Sequence, residues 1–273
     1  MSTTSDRPAR AGAPFSLRLP YWMLTVALIA ALVVVWDLYV RLFEVSPLIL
    51  PPPAEVGAAL IDLLGEQKTY MHIATTLIET LVGFAIAVVV GVGLGVLLGK
   101  LPWLDAMLNP LIVGLQVMPK IALVPLFIVW FGFGISSKIV MAAVLSFFPI
   151  MTNTILGIKS IERGHRDVML SLNASRGATF RDLDLPSALP FILTGMEVGI
   201  VLAIIGAIVG EYLGGSEGLG YMAVAALNAF DVRSMFAVIL LLTVLGFALY
   251  FAVALLRRRL TPWHGSAARG DTP

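Results

Sequence analysis

The chain has 273 residues, 59% hydrophobic and 13% charged, with a mean hydropathy of +0.95; an ordinary soluble domain is excluded and an integral membrane protein indicated. A net charge of +1 supplies no dominant basic face for nucleic acid, and the lack of cysteine removes disulfides, thiol catalysis and thiolate metal sites. At about 20 apolar residues per crossing, the length accommodates an all-α protein of about six spans with no room for a separate catalytic domain.

Residues 1–19, rich in Ser, Thr, Ala, Pro and Arg, read as a weakly held tail. Residues 21–40 form the first span, taken as an uncleaved anchor because the apolar run is long and no small-residue cleavage site follows it. Prolines at 47 and 51–53 break the chain. Residues 54–67 then set Val56, Leu60, Leu63 and Leu64 opposite Glu55, Asp62 and Glu66, the pattern of a helix lying at the membrane interface. The second span, 73–99, carries Gly83, Ala87, Gly91, Gly95 and Gly99 at four-residue spacing, a small-residue face against which another helix can pack closely. Its Gly91-Val-Gly-Leu-Gly run lies inside an apolar helix, and the stretch to Lys100 is one residue short of a phosphate-loop pattern and lacks its Ser or Thr.

Pro110, Pro119 and Pro125 divide 104–131 into an interfacial helix and a kinked third span. Ser136-Ser137-Lys138 closes a short turn, and the remaining spans are 139–158, 187–209 and 235–256. Between the last two, 214–231 is a glycine-rich loop with a second interfacial helix over 219–230.

Residues 159–190 are the one long polar block, with five of the eighteen Lys and Arg residues and four of the seventeen acids, so this block sits in water. Within it, 167–183 reads as one or two short helical turns, a break at Ala174-Ser175-Arg176-Gly177, and a renewed turn over 179–183 stopped by Pro186. Asn173 and Gly177 are the residues that best tolerate a left-handed bend. With both termini inside, thirteen basic residues fall on inner segments and four on outer ones, which puts the polar block in the cytoplasm.

No enzyme constellation stands out. His72, His165 and His264 lie on separate segments without metal-ligand spacing. Ionisable residues inside spans are more informative, because a charge at mid-helix costs about 2.5–3.5 kcal/mol on insertion scales and normally faces protein or a water-filled path. Glu79 and Glu211 are either solvated near the outer surface or turned toward such a path. Lys120 and Glu197 either pair structurally or line it. Two function classes follow: a transport subunit driven by a partner at the polar block, or a self-sufficient secondary transporter or channel in which Glu79, Lys120 and Glu197 relay ions.

The polar block resembles the cytoplasmic loop of permeases of binding-protein-dependent ABC importers. The resemblance rests on Asp167-Val168-Met169, Asn173-Ala174-Ser175-Arg176-Gly177, Leu183 and Leu185-Pro186 followed by Ser-Ala-Leu-Pro190. Further agreement with the nitrate, sulfonate and taurine branch comes from Leu48-Ile-Leu-Pro-Pro-Pro53, the run from Pro119-Lys120 to Gly134, Phe148-Pro-Ile-Met-Thr-Asn153-Thr154, and Gly218-Leu-Gly-Tyr221. Two departures are plain: the family's Glu-Ala-Ala is Asp-Val-Met and its glycine is Asn173. Glu79 and Glu197 stand where sulfonate-type members often have Arg, and with Thr261-Pro-Trp-His264 they bring the chain nearer to permeases for pyrimidine precursors, riboflavin or aromatic compounds.

The resemblance implies a MetI-like transmembrane fold over 20–260, between a tail at 1–19 and another at 261–273, with 159–186 as the loop that couples to an ATPase. It implies two copies of that ATPase, which carries the ATP and Mg, a second permease copy forming a homodimer, and an extracytoplasmic binding protein received by the outer helices. It also implies residence among the lipids of a bacterial plasma membrane. This chain itself is expected to bind no cofactor, metal or nucleic acid. Glu79, Lys120, Asn153, Glu197 and Glu211 are the translocation-path candidates, for a small sulfonate-, taurine- or nitrate-type anion or for a pyrimidine, flavin or aromatic compound.

Overall fold

A computed structural model describes residues 21–262; the readings made for 1–19, for His264 and for most of the C-terminal tail lie outside the described residues. The chain divides into two units after Pro53. In the first, α1 (Tyr21–Leu42) is apolar apart from an Asp37–Arg41 ion pair near its end, at 2.7 Å, and Leu28, Leu32 and Val35 are all exposed, as suits a membrane-crossing helix.

The second unit is built on three helices. α3 (Gln67–Lys100) and α6 (Ile135–Lys159) run parallel, and α9 (Leu185–Gly214) runs antiparallel to α6 and packs along its length. Between lipid-bathed helices there is little hydrophobic drive to associate, so packing depends on close approach. The small-residue face of α3 supplies it. A Cβ at Gly83 would stand 2.6 Å from the Cβ of Ala142, one at Gly95 2.5 Å from that of Thr154, and one at Gly99 2.7 Å from that of Ile158. Each partner lies 59 positions further along the chain, the constant offset of two parallel helices in register. Ser146 and Thr154, fully buried on α6, donate to the carbonyls of Ala142 and Ile150 at 2.7 Å, so their hydroxyls are satisfied within the helix.

The shorter elements frame this core. α2 (Pro53–Gly65) buries Val56 and packs Leu63 against a cluster of Leu219, Ala223, Val238 and Leu242, whereas Leu64 of the expected apolar face is exposed. α4 (Pro102–Val117) keeps Pro110 inside the helix and buries none of its residues. A 3-10 turn (Lys120–Leu123) and α5 (Val124–Phe131) follow at an angle of 83° to α4, which makes this segment a bent pair. Five helices among the described residues are long and apolar enough to cross a membrane, six if the bent pair counts as one crossing. α10 (Leu219–Asn228) and α11 (Val232–Leu260) complete the unit.

Two boundaries differ from expectation. Ser136-Ser137-Lys138 is no turn: it lies in the first turns of α6, and the chain reverses earlier, at Gly132, whose φ of 80° requires glycine. Pro186 does not stop a helix. It sits in the first turn of α9, where its missing N–H is one of those a helix start leaves unbonded anyway.

Candidate functional site

The polar block folds into a knob. α7 (Arg163–Ser171) ends at Asn173, whose φ of 50° makes the left-handed bend assigned to it, with the Ala174 amide donating to the Met169 carbonyl at 3.0 Å. Ser175 then caps α8 (Arg176–Thr179) by accepting from the Ala178 amide at 3.2 Å. Gly177 belongs to this right-handed helix and makes no left-handed bend. A π-helical turn (Phe180–Asp184) leads into α9.

The knob is tied to the bundle by a residue that the sequence reading passed over. Asp184 is 1% exposed; it receives Lys100, the last residue of α3, at 2.7 Å and Arg166 of α7 at 3.4 Å. Lys100 also stands 4.5 Å from the Phe180 ring centroid. Loop, α3 and the root of α9 therefore meet at one carboxylate. Outward, the knob shows Asp167, Val168, Asn173, Ser175, Arg176 and Gly177, and its exposed apolar residues include Leu170 and Leu172 at 74% and 71%. Met169, Ala174, Leu183 and Pro186 are half-buried, and Leu185 is at the edge of exposure. Leu170 and Leu172 thus give the knob an exposed apolar surface at the end of α7.

At the opposite end of the bundle, Glu79 and Glu211 are 2% and 1% exposed, so neither is solvated at a surface. Glu211 accepts from the Thr76 hydroxyl at 2.6 Å and from the Gly220 amide at 2.6 Å, and Thr76 accepts from the Leu219 amide at 2.8 Å. The Gly218 amide donates to His72 Nδ1 at 3.0 Å, which assigns that histidine's proton to Nε2. The start of α10 is therefore capped from outside, by side chains of α3 and α9. Gly218 has a φ of 101°, and a Cβ there would stand 2.1 Å from Glu211 Oε1. The Gly218-Leu-Gly220 run is small because a carboxylate sits on its backbone. Glu79 of α3 is buried as well, and its Oε2 makes no hydrogen bond among the described residues. Lys138, buried in the first turns of α6, donates to the carbonyls of Phe133, Gly134 and Gly214, joining the start of α6 to the end of α9.

The other candidates are dispersed. Glu197 is paired with Arg257 of α11 at 2.8 Å, not with Lys120. Asn153 donates to the Pro149 carbonyl at 2.8 Å and lies against Gly195, where α6 and α9 approach closely. Lys120 lines an apolar cavity of about 410 Å³ between α3, the bent pair and α6. Glu197 pairs with Arg257 and Lys120 bonds to the Gln116 carbonyl, so Glu79, Lys120 and Glu197 are not joined as the ion relay considered from sequence.

The profile of a family described as the inner membrane component of binding-protein-dependent transport systems matches residues 87–262. The chain is 37% identical to the formylaminopyrimidine transport permease protein ThiX of Halalkalibacterium halodurans, over 85% of this chain and 92% of that protein. It is 35% identical to the riboflavin transport system permease protein RibX of Chloroflexus aurantiacus over 86% and 88%, and 32% identical to the taurine transport system permease protein TauC of Escherichia coli over 89% and 90%. The fold is similar to that of a chain of the MetNI methionine ABC transporter in inward-facing conformations, with a TM-score of 0.61 and 22% identity over 68% of this chain and 93% of that one.

Proposed function

The chain belongs to the family of inner membrane components of binding-protein-dependent transport systems, and from that premise we propose how this permease subunit of an ABC importer does its work. The observation that carries the reading is the knob: a folded apolar surface at the end of α7, anchored through Asp184 to both α3 and α9. Val168, Leu170 and Leu172 seat in a groove of a separate cytoplasmic ATPase, which holds the ATP and Mg. Two ATPase copies act on two copies of this chain, and their closure is transmitted through Asp184 to the helices that meet there.

At the far end, α2 and α10 receive a substrate-loaded binding protein outside the plasma membrane of a bacterial cell, with both termini of the permease in the cytoplasm. The Glu211 cap on α10 gives that receiving surface a fixed position relative to α3 and α9. The cargo is a small organic solute, and relatives named for formylaminopyrimidine and riboflavin favour a heterocycle over a simple inorganic anion.

The deciding experiment reconstitutes this chain in liposomes with the ATPase and binding protein encoded beside it and measures ATP hydrolysis against a panel of pyrimidines, flavins, aromatic acids, sulfonates and nitrate. Stimulation by one class is the expected result. A chain that fails to retain the ATPase through purification overturns the reading.

A further inference from the structure

The break between α4 and α5 sets Lys120 in the wall of the 410 Å³ cavity, a volume within the usual range of roughly 300–1,000 Å³ for small-molecule sites. Ala87 comes from the middle of α3 and Phe147 and Phe148 from the middle of α6, so the cavity lies at mid-length of two spanning helices. Phe127 and Met118 extend the wall, and Lys120 is the one lining residue that is not apolar. Its ammonium stands 4.9 Å from the Phe148 ring centroid and donates to the Gln116 carbonyl at 2.9 Å. Among the described residues it has no carboxylate partner. An ammonium has three N–H donors; the Gln116 carbonyl takes one, which leaves the others for a ligand in the cavity. Phe147 and Phe148 meet edge to face, with centroids 5.0 Å apart at 76°, a rigid aromatic wall beside the cation.

We propose that this cavity is where the permease contacts its cargo and that it selects a planar aromatic or heteroaromatic body bearing one anionic group, the ring among the phenylalanines and the anion on Lys120. The proposal rests on the transport reading above. A small inorganic oxyanion would leave the apolar walls unfilled and find one cation where a desolvated oxyanion needs several donors. A zwitterion would bring its own ammonium toward Lys120. An aliphatic acid satisfies the charge and lacks the ring contacts.

The test measures equilibrium binding of 2-naphthoate to the full-length chain purified in detergent, with 2-naphthamide, octanoate, taurine and nitrate as competitors. Saturable binding of 2-naphthoate is expected, weakened about tenfold or more in Lys120→Gln and for the uncharged amide, as for loss of a charge-assisted hydrogen bond. Lys120→Arg keeps the affinity. Phe148→Leu, which leaves the cation in place, weakens naphthoate more than octanoate, and it decides the matter should Lys120→Gln fail to fold. Absence of saturable binding overturns the proposal, as does equal competition by octanoate or nitrate, or an unchanged affinity in Lys120→Gln. Retention of the ATPase is scored on the same preparations. Retention without naphthoate binding sinks the cavity assignment alone, whereas Lys120-dependent binding without retention sinks the permease reading and leaves the site.

Discussion

Glu211 illustrates why a buried acid in a membrane protein need not be a transport group. Both of its oxygens are occupied, by the Thr76 hydroxyl and the Gly220 amide, and the second of these is an unbonded N–H at the start of α10. Replacing it with alanine leaves that amide and the Thr76 hydroxyl without their acceptor in a site closed to water. Charged-group hydrogen bonds contribute about 1.5–3 kcal/mol each, so Glu211→Ala is expected to lower the thermal stability of the detergent-purified chain and to raise hydrogen exchange at Gly218–Gly220. Unchanged exchange at those amides would show that α10 is held by packing alone. From sequence, Glu211 was an ionisable residue near a span end, open to a solvated or a path-facing reading. Its true partners lie more than 130 positions away on α3 and nine positions on along the chain, and no local pattern links them.

At the scale of the element, the four-residue repeat of small residues on α3 is the contact along which α3 and α6 run in parallel. Gly95 meets Thr154 at a distance no Cβ tolerates, whereas Gly93, two residues earlier, has open space around it. Gly95→Val is therefore expected to separate the helices and destabilise the fold by about 1–3 kcal/mol or more, the usual range for overpacking. Gly93→Ala should be neutral or stabilise by up to about 1 kcal/mol through helix propensity. Thermal melts of the two variants check this, and equal melting temperatures would refute the register described here. The spacing of this face was legible because helix periodicity is a local property. The run at 136–138 was misread for a related reason: serines and a lysine suggest a solvated turn, but here the Lys138 chain folds back onto three carbonyls and continues the helix.

At the scale of the whole molecule, the knob and the bundle are separate tasks, tied together at the buried Asp184 and by Arg166 on the Ile158 carbonyl, and substitution should part them. Leu172→Asp places a charge on the exposed apolar surface at the end of α7 and is expected to lose the ATPase on purification while membrane insertion is unchanged. Asp184→Ala leaves that surface intact and removes the carboxylate with which Lys100 and Arg166 both form ion pairs, so the ATPase should be retained while cargo no longer stimulates ATP hydrolysis. Co-purification and the stimulated rate together distinguish the two; loss of the ATPase in Asp184→Ala would mean that Asp184 only shapes the knob. The composition alone required a polytopic helical membrane protein, because apolar runs of this length have nowhere else to lie. The polar block and the motif residues around it identified a permease, because that resemblance is carried by contiguous stretches. Which charges pair with which, which apolar residues of the knob stand exposed, and what Glu211 holds at the start of α10 were decided only by the tertiary structure. Those properties depend on the meeting of α3, α6 and α9, whose contacts are fixed by close packing between segments far apart in the chain.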